Sequence, residues 1–182
     1  AVALLWTIFF NQQKKGITCM DCNIILIAID PLRADELSSY GNPRTVTPAL
    51  DALVKKGFMF TSAYAVAPWT LPSAMSLMTG SYPSTHKITN KEIIPQGQKQ
   101  ELVPAKLSDT APHMKTLASM LQEQGYATGG FAGGAALSAS YGFDQGFDVY
   151  KSGDAFDGLP EVLPAAVDFI RSRAAQKFFV FI

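Results

Sequence analysis

A chain of 182 residues, 48% apolar and 16% charged, can bury a real core, so it reads as one globular domain or part of one. Its formal net charge is zero and it carries no basic cluster, which argues against a nucleic-acid partner. No internal repeat or low-complexity tract interrupts it.

The chain begins at Ala1 with the apolar stretch 1–10, which runs straight into Asn11-Gln12-Gln13-Lys14-Lys15. A stretch of this length falls short of the about twenty residues that span a bilayer. It reads as the surviving end of a signal-anchor helix with Trp6 near the interface, or else as an ordinary buried strand or helix. On the first reading, residues 1–22 are the remnant of a membrane anchor and its tether, and residues 23–182 form the folded part. The two cysteines fall together as Cys19-Met20-Asp21-Cys22. No second C-x-x-C exists and the only histidines are His86 and His113, which argues against a four-ligand zinc site, so a local disulfide or plain thiols is expected.

From residue 23 the pattern becomes regular. Asn23-Ile24-Ile25-Leu26-Ile27-Ala28-Ile29 predicts a strand covered on both faces, and Pro31 ends it with Asp30 aimed into a loop. Loops at the carboxyl ends of parallel strands are where α/β proteins place their sites, so Asp30 is a metal-ligand candidate; alone it also reads as a turn-forming residue. Thr47-Pro48 opens a helix with Leu50, Leu53 and Val54 on one face and Gly57 as its stop. Residues 58–66 predict a second strand.

That strand delivers the chain to Pro68-Trp69-Thr70-Leu71-Pro72, where Pro72 suits a first helical turn and Gly80 the residue past the helix end. Thr70 then sits at a helix N-terminus, where unpaired N–H groups and the dipole favour an anion. It reads as a nucleophile toward an anionic ester, or simply as the helix cap. Residues 84–112, which include His86 just after this helix, read as a polar excursion over the surface, a lid or substrate-facing loop. Met114, Leu117, Ala118 and Leu121 predict a helix stopped at Gly125, and residues 126–131 a third strand. Val162, Ala166, Val167 and Ile170 mark a last helix before the buried strand Phe178-Phe179-Val180-Phe181-Ile182. The fold class is therefore α/β: a mostly parallel sheet sandwiched by helices.

Several motifs recur in a fixed order. They are Ile29-Asp30-Pro31-Leu32-Arg33, Ser39-Tyr40-Gly41, Thr47-Pro48, Phe60-Thr61, Pro68-Trp69-Thr70-Leu71-Pro72-Ser73, Met78-Thr79-Gly80, Tyr82-Pro83, Gly125-Tyr126 and Gly142-Phe143-Asp144 through Asp148. Over residues 23–182 the chain resembles the N-terminal part of the sulfatase family, within the alkaline phosphatase superfamily. The resemblance implies an alkaline-phosphatase-like topology and a metal-dependent hydrolase of sulfate or phosphate esters. Asp30 matches the first metal-binding aspartate and Thr70 the nucleophile position, itself a metal ligand. The metal is implied to be divalent, calcium first, with zinc or manganese in phosphoester relatives. An extracytoplasmic, membrane-anchored location is implied as well. Arg33 is a candidate clamp for an ester oxygen, or an ion-pair partner of Asp35 or Glu36. His86 is a candidate proton donor to the leaving group.

The departures are specific. Sulfatases make formylglycine from Cys or Ser in a C/S-x-P-x-R motif, whereas here the nucleophile position is Thr70 and the arginine position is Ala74. Threonine at this place resembles superfamily members that cleave or transfer phosphoesters. After Gly125-Tyr126, the lysine and histidine that bind sulfate in arylsulfatases are replaced by Phe131-Ala132-Gly133-Gly134-Ala135. Asp30 and Thr70 alone supply too few donors for a closed metal site. The chain is therefore expected to be a fragment of a longer enzyme, inactive alone, or else a relative that binds without catalysing.

Overall fold

The computed structural model describes residues 22–44, 46–93, 102–153 and 158–182. In chain order the elements are β1 (Ile24–Leu26), α1 (Pro48–Lys56), α2 (Thr70–Thr79), α3 (Pro83–His86), β2 (Glu92–Ile93), β3 (Val103–Pro104), α4 (Leu107–Thr110), α5 (Leu117–Glu123), β4 (Ala127–Ala132), β5 (Val149–Ser152), α6 (Leu159–Ser172) and β6 (Phe178–Phe181). Four strands form one sheet in the order β1-β6-β4-β5, and every pairing in it is parallel. A small antiparallel pair, β2 with β3, stands apart. The α/β class expected from the sequence holds.

β6 lies between two neighbours, and its side chains alternate between the sheet's faces. Phe179 and Phe181 join Leu26, Leu71, Met75, Met78 and Ala118 under α2 and α5. Phe178 and Val180 join Phe131, Val162, Ala166 and Phe169 under α6. Val162, Ala166 and Phe169 recur at helical spacing, which is why α6 turns one stripe to the sheet. Glycines in β4 make room for rings: a Cβ at Gly130 would fall 2.4 Å from the Tyr150 ring, and one at Gly129 2.8 Å from Phe131.

The run 142–148 is a structural staple. Asp148 accepts the Thr128 N–H at 2.8 Å and the Gln122 side-chain amide at 2.7 Å, tying the start of β4 to α5. Thr128 Oγ1 donates to the Gly146 carbonyl at 2.8 Å. Gly146 has φ +87°, and a Cβ there would lie 2.1 Å from the Ser119 backbone nitrogen.

Two expectations need correction, and one strand lacks a sequence signal. The stretch 58–66 is not a strand, and its apolar side chains face solvent, with Phe58 77% and Tyr64 88% exposed. Its richness in aromatic and small apolar residues is a local property, but a strand exists only where another strand takes its backbone hydrogen bonds. The excursion 84–112 is pinned to the core by Ile88, Ala105 and Leu107, each fully buried. β5 went unread because a strand of four residues is too short to show a period.

His86 is buried at 0% exposure. Its Nε2 lies 2.9 Å from Ser76 Oγ, and its Nδ1 accepts the Ile88 N–H at 3.1 Å. An acceptor at Nδ1 puts the proton of the neutral ring on Nε2. Burial pushes the imidazole below its ordinary value of 6.5, against a smaller opposing pull from the Pro72 carbonyl.

Two predictions follow from this packing. Gly146→Ala should cost about 3 kcal/mol or more in urea denaturation, because it adds a backbone clash to a left-handed φ. Gly41→Ala, at φ +96° with open space around it, should cost only about 1 kcal/mol. The unfolded chain protonates His86 near 6.5 while the folded protein resists it, so this contribution is full above 6.5 and declines as pH falls below it. The urea midpoint should therefore drop between about pH 7.5 and about pH 5.5, and His86→Gln should flatten that drop.

Candidate functional site

β1 ends at Leu26, and the chain leaves the sheet through Ala28, whose N–H donates to the Ile182 carbonyl at 2.8 Å. Asp30 follows with its carboxylate exposed. On the other side of the site, Trp69 is the N-cap of α2 in extended conformation, with no side-chain hydrogen bond to the helix. Thr70 is thus the first helical residue rather than the cap. Its Oγ1 donates to Asp30 Oδ2 at 2.5 Å, closing a separation of 40 residues. The Thr70 and Leu71 N–H groups open the helix without intrahelical acceptors, and Pro72 has no N–H to satisfy. A hydroxyl, a carboxylate and the positive end of a helix dipole therefore meet at one exposed corner.

Leu71, Pro72, Met75 and Met78 are buried beneath that corner, so α2 is seated by its apolar face. Gly80 ends the helix at φ +64°, its N–H donating to the Ser76 carbonyl at 2.8 Å. Ala74, at the place of the sulfatase arginine, packs against the same core. A groove of about 330 Å³ runs along α2, lined by residues including Tyr64, Ser73, Ser76 and Tyr82. Neither Thr70 nor Asp30 lines it.

The remaining site candidates are placed elsewhere. Arg33 uses its guanidinium fork on Asp35, Nε to Oδ1 at 2.9 Å and Nη2 to Oδ2 at 2.5 Å. Both side chains are largely exposed, and Asp35 raises the guanidinium pKa. This is the ion-pair reading of Arg33, with the fork turned to Asp35 rather than to Thr70. His86 is enclosed under α2 with both ring nitrogens engaged, so in this arrangement it faces no leaving group. Ser76, on the helix behind Thr70, is the group that meets His86 Nε2. Its pairing with His86 joins two helices, which a reading along one helix does not show.

Asp30 and Thr70 offer a carboxylate and a hydroxyl, hard oxygen donors that suit a divalent cation. Among the described residues no three His, Cys, Asp or Glu side chains cluster to hold one. The present donors fit such an ion as part of its shell. Asp148, in the 142–148 run, is already bonded to Thr128 and Gln122. Cys22 is disulfide-bonded, and Cys19 lies outside the described residues. No helix among the described residues is long and apolar enough to cross a membrane, and the anchor expectation for residues 1–10 lies outside them.

The Sulfatase family model matches residues 22–182. An N-acetylgalactosamine-6-O-sulfatase of Bacteroides thetaiotaomicron is 38% identical over 118 residues, covering 65% of this chain and 21% of the relative. Arylsulfatase A of Bos taurus is 31% identical over 159 residues, covering 82% of this chain and 29% of the relative. The chain therefore spans between a fifth and a third of these two relatives. Among solved structures, one bound to its substrate D-glucosamine-2-N,6-O-disulfate superposes with a TM-score of 0.68 at 20% identity, over 88% of this chain and 33% of that one. A protein of the alkaline phosphatase superfamily from Vibrio parahaemolyticus superposes at 0.60 with 24% identity, over 89% of this chain and 40% of that one. A family match running from the disulfide-bonded Cys22 to the last residue, on a sheet with this topology, makes the chain a member of the sulfatase family.

Proposed function

We propose that this chain is the N-terminal part of the catalytic domain of a divalent-metal-dependent hydrolase of sulfate esters, with Thr70 as its nucleophile. The observation that carries the reading is the 2.5 Å hydrogen bond from Thr70 Oγ1 to Asp30 Oδ2 at the N-terminus of α2. Relatives that act on sulfated sugars, such as the 38% identical N-acetylgalactosamine-6-O-sulfatase, support a sulfated saccharide as the substrate class. The disulfide at Cys22 supports an oxidising, extracytoplasmic location, to which an anchor in residues 1–10 would tether the enzyme.

In the mechanism, Thr70 Oγ forms a bond to the ester sulfur while its proton passes to the Asp30 carboxylate. The bond from sulfur to the alcohol oxygen breaks, and the alcohol leaves with a proton from solvent. Water then attacks the sulfur, releasing sulfate and returning Thr70 to its hydroxyl form. The open N–H groups of the first turn of α2 and the helix dipole oppose the anion's charge throughout. Asp30 and Thr70 would hold the divalent cation, calcium on family grounds, which when bound neutralises ester oxygens.

One observation favours a second reading. Position 70 is threonine and position 74 alanine, so the oxidisable Cys or Ser and the arginine of the formylglycine motif are both absent. This favours hydrolysis or transfer of a phosphoester through the same Thr70 attack.

The test uses the full-length protein with an aryl sulfate and an aryl phosphate. Thr70→Ala should lower kcat/KM by about a thousandfold or more on the true substrate, and the preferred ester separates the two readings. A chelator should abolish activity and added calcium should restore it. Retention of full activity by Thr70→Ala would overturn Thr70 as the nucleophile, and no turnover of either ester by the full-length protein would leave a role in binding alone.

A further inference from the structure

We infer that His86 is a positioning residue for Thr70: its buried Nε2–H, bonded to Ser76, fixes the first turns of α2 from behind. The inference rests on the reading of Thr70 as nucleophile. It starts from what the first turn of α2 lacks. Trp69 contributes no side-chain cap, Pro72 has no N–H, and the Thr70 hydroxyl points away from the helix to Asp30. The direction of the turn is therefore set by packing of Leu71, Pro72 and Met75 and by polar contacts from other elements.

His86 is the polar contact on the buried side. Ser76 stands one turn after Pro72, and the Pro72 carbonyl faces the same ring, so the imidazole addresses the first two turns of α2 together. The ring is in turn held in one orientation. Its Nδ1 takes the N–H of fully buried Ile88, and the His86 carbonyl accepts Thr110 Oγ1 at 2.8 Å. Flipping the ring would break two bonds in a site without solvent, which is expensive. Thr70 is thus tied to Asp30 in front while His86 ties its helix behind. A displacement of about 1 Å at a reacting atom costs about a hundredfold in rate, so a hold on this turn bears on chemistry rather than on substrate affinity.

The experiment compares His86→Leu, His86→Gln and Ser76→Ala in the full-length protein. His86→Leu should lower kcat by about ten- to a hundredfold with KM changed by less than about twofold. His86→Gln, which offers an N–H near the place of Nε2, should restore kcat to within about threefold of wild type. Ser76→Ala should fall between them, and it carries the test if His86→Leu does not fold. Nitrogen NMR of the wild-type ring should show the proton on Nε2. Amide exchange of Ser73 and Ala74 should quicken in His86→Leu while β4 and β6 stay protected. Unchanged kcat in folded His86→Leu, equal losses in the Leu and Gln variants, or a proton on Nδ1 would overturn the inference. An inactive wild type would overturn the Thr70 reading instead, and the exchange and NMR readouts would still decide whether His86 holds the turn.

Discussion

The four residues of β6 have solvent on neither face, and most of the fold follows from that. A strand buried on both sides demands a neighbour on each edge for its backbone and a helix layer on each face for its side chains. β1 and β4 supply the edges; α2 and α5 cover one face and α6 the other. The pairing runs past the strand ends, from Ala28 to Ile182 and from Ile182 back to Leu26. That extension fixes the level at which β1 releases the chain, and Asp30 lies only two residues beyond Ala28.

α2 meets this fixed point from the other direction. Its apolar face is committed to the sheet, so its N-terminus opens at the same edge where β1 ends. The 2.5 Å bond between Thr70 and Asp30 is the visible result. On the proposed reading, the Asp30 carboxylate takes the Thr70 proton while the positive end of the α2 dipole draws in the ester anion. His86, enclosed on the far side of α2, extends that hold into the core.

The departures from the sulfatase motif have consistent physical consequences. With alanine at position 74, the helix face that would carry a cation packs into apolar core instead. Arg33 is spent on Asp35 at the surface. Positive charge at the corner therefore comes from the helix terminus, and on the proposed reading a divalent cation on Asp30 and Thr70 would add to it.

The sequence by itself determined the parts that rest on local pattern. The continuous apolar run of β6, the helical spacing of Val162, Ala166 and Ile170, and Gly80 as the stop of α2 are all properties of neighbouring residues. The ordered motifs likewise singled out Asp30 and Thr70, but left open whether they meet. Tertiary structure decided the rest. Residues 58–66 have the composition of a strand yet stay largely exposed, because pairing needs a second strand and not only suitable residues. His86 sits in a stretch that reads as polar surface, and it is buried because α3 and Ile88 fold it beneath α2. Whether a polar side chain faces solvent, a carboxylate or the core depends on which distant element covers it. That is a contact across the chain, and no local period encodes it.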